Sequence, residues 1–457
     1  MKRSIALGAA ALVLLSLAGC SANAPATPAA SGAPGPSALA NATGVTEINF
    51  WHGLGGINAQ ALQSLVDEFN TENAGTIKVD TSAQGSYADL LAKYTASLRD
   101  KSTPTVTLSN DISSGFLHDV KRSVSPEAMA AANPGDLKLS QLAPAGKRYY
   151  SVNDKLVAVP MNMSTPLLFV NSELLQKAGV ETSSLKTLDG LAAAAKKIKD
   201  TTGVPGIAEA FDDWWFEQLT AASGNLYCTP ANGRGTKSAD KVSFQQASQV
   251  KAFTTMADLY QAGAGLDVGT DNNNAVTAFA AGKTAMMFNS SAVAASVANS
   301  TTFPYVALPF PLSAPASKAG TVVGGSAMWL SNQATPAQQV AGWKLISFLA
   351  SPASQAKFSE ATGYVPANTA LENTAARTDY LTSHPVAQVA IDQVKDVADV
   401  PASHGCFTGA FSAIRAAMVP QMQAAFTGSK TMKQALADAT TAANQAIADY
   451  QTQLAGD

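Results

Sequence analysis

Between residues 47 and 111 the chain changes period four times, and this alternation constrains its fold more than any other feature. EINFWH (47–52) reads as a strand. From Asn58 to Asn70, Leu62, Leu65, Val66 and Phe69 fall on one helical stripe. IKVDTSA (77–83) returns to strand, Ala88 to Leu98 is helical, and Thr105 to Leu108 is a short apolar strand running into Ser109-Asn110-Asp111. Strand, helix, strand, helix, strand is the signature of an α/β chain with a parallel sheet. Ligands of such sheets sit beyond the carboxyl ends of the strands. Tyr87 and Asp111 both fall at such ends.

Two later segments resemble each other. LVAVPM (156–161) and YVALPF (305–310) are extended β-branched runs broken by proline. Each suits an edge strand or a crossing between two lobes. Just after the first, Ser164-Thr165-Pro166 precedes the apolar run Leu167 to Val170, and a helix is expected from Asn171/Ser172 to Gly179. These hydroxyls at the mouth of a buried strand have no base beside them in sequence, so they fit either a nucleophile or a pocket wall. Helices are expected over 188–199, 214–222, 244–262 and 273–281, then a strand over 325–330, a helix over 337–349 and a helical tail over 418–454. No fixed period repeats, which excludes a solenoid or propeller.

The first residues set an expectation about compartment. Met1-Lys2-Arg3 is cationic, and Ile5 to Leu17 is an apolar run of signal-peptide length, too short to span a bilayer. Leu17-Ala18-Gly19-Cys20 resembles the bacterial lipobox, in which the cysteine is lipidated. The expected organisation is a signal peptide over 1–20 and a flexible Ala/Pro/Ser/Gly tether over 21–45. The protein is then held at the outer face of the cytoplasmic membrane by its lipid alone. About four hundred residues follow, too many for one core. The formal net charge of −3 offers nothing to a polyanion such as nucleic acid. Outside the cell Cys228 and Cys406 either form a disulfide or remain two buried thiols.

Motifs of catalysis are missing. Gly324-Gly325-Ser326-Ala327-Met328 lacks the last glycine of a hydrolase elbow. His52, His118, His384 and His404 have no zinc spacing and read as surface or capping residues. Asp271-Asn272-Asn273-Asn274 lacks the glycine and terminal acid of a calcium loop and reads as a helix N-cap. No phosphate-loop or dinucleotide fingerprint is present, so no cofactor or metal is expected. A paired-carboxylate glycosidase or a phosphodiester hydrolase stays open as the enzymatic alternative.

Seven segments, taken in order, carry a resemblance: VTEINFWHGLGG, QGSYADLLAKY, MNMSTPLLFVNSELLQKAGV, GKTAMMFNSSA, GGSAMWL, ATGYVPAN and AFSAIRAAM. Their order and spacing are similar to those of the extracellular solute-binding proteins of ABC importers, and most to the branch that binds sn-glycerol-3-phosphate or glycerophosphodiesters. The resemblance covers the chain after the tether. It implies a two-lobe Venus-flytrap fold with crossing hinge strands, one lobe from 46–160 and 312–355, the other from 161–311 and 356–457. It further implies a monomer that captures a small molecule between the lobes, performs no chemistry and delivers its ligand to a permease.

Carried over residue by residue, the resemblance implies that Tyr87 and Asp111 face the polyol. Ser164, Ser290, the Gly325 N–H, Tyr364 and Arg415 would face the phosphate, with Phe211 and Trp214 against carbon. Phe211 stands where the family can carry a tryptophan. Asp111 stands where it can carry a glutamate. Both departures bear on the head group and leave glycerophosphocholine beside glycerol-3-phosphate. An oligosaccharide binder is the alternative within the same class, since such sites also use Tyr, Trp and Asp.

Overall fold

The computed structural model describes residues 32–456 except 317 and 372–373. The expected signal peptide, Cys20 and residues 21–31 of the expected tether lie outside the described residues. The rest of that segment is not a loose tether, since Ser37–Ala40 forms a short helix with Leu39 buried in the first core. The alternation at the start folds as a parallel unit: β1 (Thr46–His52), α1 (Gly56–Glu72), β2 (Ile77–Ala83), α2 (Tyr87–Asp100), β3 (Val106–Asn110) and α3 (Asp111–Asp119). β1 pairs in parallel with both β2 and β3. Its inward residues Ile48 and Phe50 are buried, as the period of two requires.

The chain continues through β4 (Val159–Ser164) and β5 (Pro166–Asn171), then α4 (Leu188–Thr202), β6 (Ile207–Glu209), α5 (Asp213–Ala222), α6 (Ala247–Gln261) and β7 (Gly265–Asp267). Next come α7 (Asn272–Ala280), β8 (Met286–Ser290), β9 (Tyr305–Pro309), β10 (Gly324–Leu330), α8 (Pro336–Leu349), α9 (Pro352–Thr362) and β11 (Val365–Pro366). Four helices close the chain: α10 (Ala375–Ser383), α11 (Pro385–Asp396), α12 (Phe411–Phe426) and α13 (Met432–Gly456).

Two main sheets result. The first has the order β11-β4-β10-β3-β1-β2 and the second β7-β6-β8-β5-β9. The chain passes from one to the other at Thr165, between β4 and β5, and returns over 310–323 between β9 and β10. Both proline-broken runs therefore lead to a crossing. β4 runs on to Ser164, so the first sheet extends past residue 161. All six residues of β5 are buried, and alternate ones serve different cores. Leu167 and Phe169 join the apolar cluster that extends from the first sheet, whereas Leu168 and Val170 join the cluster among the second-lobe helices.

Two expectations are corrected. The helical tail is two helices, because the chain turns at Gly428 with φ 78°. His52 is no surface residue: it ends β1 with 3% exposure. The turn at Asp271 does cap a helix as expected, accepting from the Asn273 N–H at 2.8 Å. Cys228 and Cys406 are joined by a disulfide, with Cα atoms 5.7 Å apart. No described helix is long and apolar enough to cross a membrane.

Candidate functional site

One edge of the first sheet gathers most of the expected residues. β3 ends at Asn110, whose side chain caps α3, so Asp111 stands at the first helical position. β10 runs antiparallel to β3 and β4 and places Ser326 opposite Asn110, Gly325 opposite Met163 and Gly324 opposite Ser164. Tyr87 opens α2 behind a capping box formed by Ser86 and Asp89. Its buried phenol lies beside Ser326 and in the field of Tyr364 and Asp111, and burial pushes it well above the ordinary tyrosine value. Gly53 makes room for it, since a Cβ there would sit 2.5 Å from the Tyr87 ring.

The second lobe supplies the facing wall. Asp212 caps α5 by accepting from the N–H groups of Trp214 and Trp215 at 3.0 and 3.3 Å. Trp214 remains half-buried, and its indole would lie 3.5 Å from a Cβ built on Gly324. The same Cβ would lie 2.8 Å from Ser164 Oγ. Ser290 ends β8 opposite Pro166, next to the crossing, and caps the following turn.

Arg415 joins the two lobes. It lies on α12 with its side chain 3% exposed. Nη1 donates to Asp213 Oδ1 at 2.9 Å and Nη2 donates to Glu217 Oε2 at 2.9 Å, both carboxylates on α5. Nη2 also approaches Asp111 Oδ2 of the first lobe at 3.8 Å. The guanidinium covers the Phe411 ring at 4.5 Å. Nε makes no hydrogen bond among the described residues. A buried charge needs such partners, because desolvation alone would exceed any gain from packing.

A second layer holds this contact in place. Glu217 Oε1 accepts from the Cys406 N–H at 3.3 Å. Cys406 is tied to Cys228, and the neighbouring Gly405 carbonyl accepts from Arg234 Nε at 2.9 Å. Arg234 in turn covers the Tyr149 ring at 4.4 Å. A Cβ on Gly405 would lie 2.9 Å from Glu217 Oε1, so the loop passes too close for a side chain.

Burial dominates the electrostatics. It raises Asp111 above the usual carboxylate range although Arg415 pulls the other way. It pushes Glu217 up to about 7, again against Arg415, and Asp212 up to about 6 with help from Asp213. Burial works against the Arg415 charge, but Asp213, Glu217 and Asp111 together raise it well above its ordinary value. Three carboxylates thus surround one guanidinium. This favours hydroxyl donors and cationic groups over a second negative charge.

Tyr87, Asp111, Ser164, Trp214, Ser290, Gly325, Tyr364 and Arg415 all sit on the two facing edges or at the crossing. Phe211 does not join them. It is 5% exposed and packs against Tyr260 and Phe426 at centroid distances of 4.9 and 4.8 Å, inside the second-lobe core. Its place beyond β6, before the Asp212 cap, turns it inward. Asp213 and Glu217 were not singled out from the sequence, and Ser326 entered only at the centre of an incomplete hydrolase elbow. The signal for the first two was two acids four apart on a helix otherwise rich in Trp, Phe and Leu.

Comparison with known proteins agrees with this architecture. Residues 64–385 match the family model described as bacterial extracellular solute-binding protein. The sn-glycerol-3-phosphate-binding periplasmic protein UgpB of Escherichia coli strain K12 is 26% identical over 421 residues, 90% of this chain and 95% of that protein. The protein of the same name from Rhizobium meliloti is 27% identical over 412 residues, 89% of this chain and 95% of its own length. Among solved structures, UgpB from Mycobacterium tuberculosis in complex with glycerophosphocholine superposes with TM-score 0.74 at 19% identity, over 89% of this chain and 99% of that one. The cyclic alpha-maltosyl-1,6-maltose binding protein from Arthrobacter globiformis gives TM-score 0.72 at 20% identity, over 88% and 99%. The chain belongs to the bacterial extracellular solute-binding protein family and has its two-lobe fold.

Proposed function

We propose that the chain is the lipid-anchored, monomeric capture subunit of an ABC importer, and that its ligand is a glycerophosphodiester such as glycerophosphocholine. The observation that carries this choice is the setting of Arg415, whose two Nη groups already meet Asp213 and Glu217 while Nε stays unengaged. A monoanionic phosphodiester asks for one more donor there. The dianion of sn-glycerol-3-phosphate would bring a second charge toward three carboxylates. In this reading Asp111 and Tyr87 accept from and donate to the glycerol hydroxyls. Ser164, Ser290, Tyr364, the Gly325 N–H and Arg415 Nε surround the phosphate. The half-buried Trp214 covers the head group, where an indole face suits a quaternary ammonium.

The E. coli and Rhizobium relatives support a glycerol phosphate ligand class, and the Mycobacterium structure supports the diester. The Ser164 hydroxyl then needs no base, because it only donates to the ligand; the Thr165 hydroxyl is taken up in the crossing, where it accepts from Gln393 Nε2. Ligand bridging both edges favours the closed form in proportion to its differential contacts, and the closed form docks on the permease. Cys20 and the tether keep the protein at the outer face of the membrane.

A second reading, a neutral oligosaccharide, is favoured by the carboxylate surplus and by the maltose-type neighbour. Calorimetric titration with glycerophosphocholine, sn-glycerol-3-phosphate and maltose, for the native chain, Arg415→Ala and Trp214→Ala, separates the two. Tight binding of the diester that both variants abolish supports the proposal. Binding of maltose alone, unchanged by Arg415→Ala, overturns it. Release of choline or glycerol on incubation would point instead to a hydrolase.

A further inference from the structure

Two adjacent tyrosines border the Arg415 cage, and the site described above leaves their hydroxyls unused. Tyr149 ends the short helix Pro144–Tyr149, and Tyr150 follows it. They are 2% and 0% exposed, and their rings meet edge to face with centroids 5.1 Å apart. Neither phenol oxygen makes a hydrogen bond among the described residues. A buried hydroxyl without a protein partner is costly, and folded proteins keep few of them.

Both side chains are held from behind. The Tyr150 N–H donates to the Gly146 carbonyl at 3.0 Å, and the Tyr150 carbonyl accepts from the Val157 N–H at 2.8 Å. Arg234 covers the Tyr149 ring at 4.4 Å, while its Nη1 donates to the Tyr149 carbonyl. Tyr149 lies alongside Glu217, the partner of Arg415. A Cβ built on Gly405 would be 2.9 Å from both Tyr149 Cε2 and Glu217 Oε1. Burial, with Asp111 acting in the same direction, holds both phenols well above the ordinary tyrosine value, so each keeps its proton and can donate. Tyr150 also lies in the field of Tyr87. The two phenols thus stand beside the pair that faces the glycerol hydroxyls.

We propose that Tyr149 and Tyr150 are ligand-binding residues whose phenols hydrogen-bond the hydroxyl-bearing end of the ligand, beside Asp111 and Tyr87. The identity of that end, a glycerol with two free hydroxyls, rests on the glycerophosphodiester reading above. Each glycerol hydroxyl has one hydrogen to give and two lone pairs to fill. Asp111 takes a hydrogen, and the phenols supply donors to the lone pairs that remain. Two neighbouring phenols match two neighbouring hydroxyls, so the pair selects for a free diol and not for the head group.

Calorimetric titration of the full chain with glycerophosphocholine and with propyl phosphocholine, which lacks both glycerol hydroxyls, tests this. The native chain should bind glycerophosphocholine about tenfold or more the tighter of the two. Tyr149→Phe and Tyr150→Phe should each weaken glycerophosphocholine by about fivefold or more and leave propyl phosphocholine within about twofold. Without ligand, both variants should melt at or above the native temperature, because the deleted hydroxyl has no protein partner. Unchanged affinity of the variants for glycerophosphocholine, equal weakening of both esters, or a melting temperature lowered by several degrees would each overturn the proposal. If the native chain binds maltose and neither ester, the phosphodiester reading fails by itself. The same variants titrated with maltose then decide the role of the phenols: weaker binding upholds it and unchanged binding overturns it.

Discussion

Arg415 Nη2 donates to Glu217 Oε2 at 2.9 Å, with the two side chains 3% and 1% exposed. Neither charge is tolerable there alone. Glu217→Ala leaves the guanidinium short of a partner and should cost about 3–5 kcal/mol of stability. Glu217→Gln keeps the volume and an acceptor, and should cost under about 1 kcal/mol. Urea unfolding of both variants at neutral pH checks this. Equal losses would mean that packing, and not the ion pair, holds α12 to α5.

Burial raises three second-lobe carboxyls: Glu209 to about 8, Glu217 to about 7 and Asp212 to about 6. Each folded value lies above the value for a free side chain, so the native state holds protons that the unfolded chain gives up. Their contribution to stability is complete below about pH 4 and is lost as pH rises through 6 to 8. For Glu217 alone the loss is roughly 3 kcal/mol. The melting temperature should therefore fall between pH 5 and pH 8, and Glu209→Gln should flatten the upper part of the slope. A melting temperature that rises over this range would contradict the burial account.

Ligand binding should carry a proton signal as well. A phosphodiester does not titrate between pH 5 and 8, so any proton taken up from the buffer on binding goes to a group of the protein. Protonating Glu217 loosens its hold on Arg415 and lowers the negative charge that faces the phosphate. Affinity for glycerophosphocholine should rise about two- to tenfold from pH 8 to pH 6, within one unit's worth of linkage. Titrations in buffers of different ionisation enthalpy would report the uptake, and Glu217→Gln should abolish it. An affinity independent of pH would place the ligand away from this pair.

The parallel start of the fold was legible because its periods are clean: β2 spans the same residues, 77–83, in sequence and structure. Asp111 and Tyr87 followed from that, since the ends of strands and the starts of helices fix side-chain positions. The Arg415 cage was not legible in the same way. Asp213 and Glu217 lie some two hundred residues from Arg415, and only the packing of α12 on α5 brings them together. Phe211 failed for a related reason: an aromatic residue one position before a helix cap can turn to core or cleft, and local sequence does not decide which. The short strands β6 and β8 carried too few residues to show a period.

Gly325 has φ 127°, and a Cβ there would collide with the Asn162 carbonyl oxygen on the paired strand. Gly325→Ala must therefore either strain the backbone or separate β10 from β4. A loss of about 1–3 kcal/mol is expected. Because Ser164 lies next in the same register, ligand affinity should fall together with stability. Thermal melts and calorimetry on this variant, with Gly135→Ala as a control at an open surface position, would separate the local effect from a general glycine effect.

Gln393 of α11 fixes both crossings at once. Its Nε2 donates to Thr165 Oγ1 and, at 2.6 Å, to the Pro166 carbonyl, while Oε1 accepts from the Phe310 N–H at 2.6 Å. Thr165 and Pro166 form the first passage between sheets, and Phe310 begins the second. One amide thus ties the two hinge segments to each other. Gln393→Leu removes all three bonds at similar volume and leaves the Phe310 N–H without its acceptor. The expected loss is about 1–3 kcal/mol. The larger consequence is mechanical, since the lobes should then sample a wider range of openings. Small-angle scattering of the ligand-free variant should show a larger radius of gyration than the native chain, and ligand should restore the native value. An unchanged radius in the free variant would mean that the crossing strands alone set the hinge angle, and that Gln393 serves stability only.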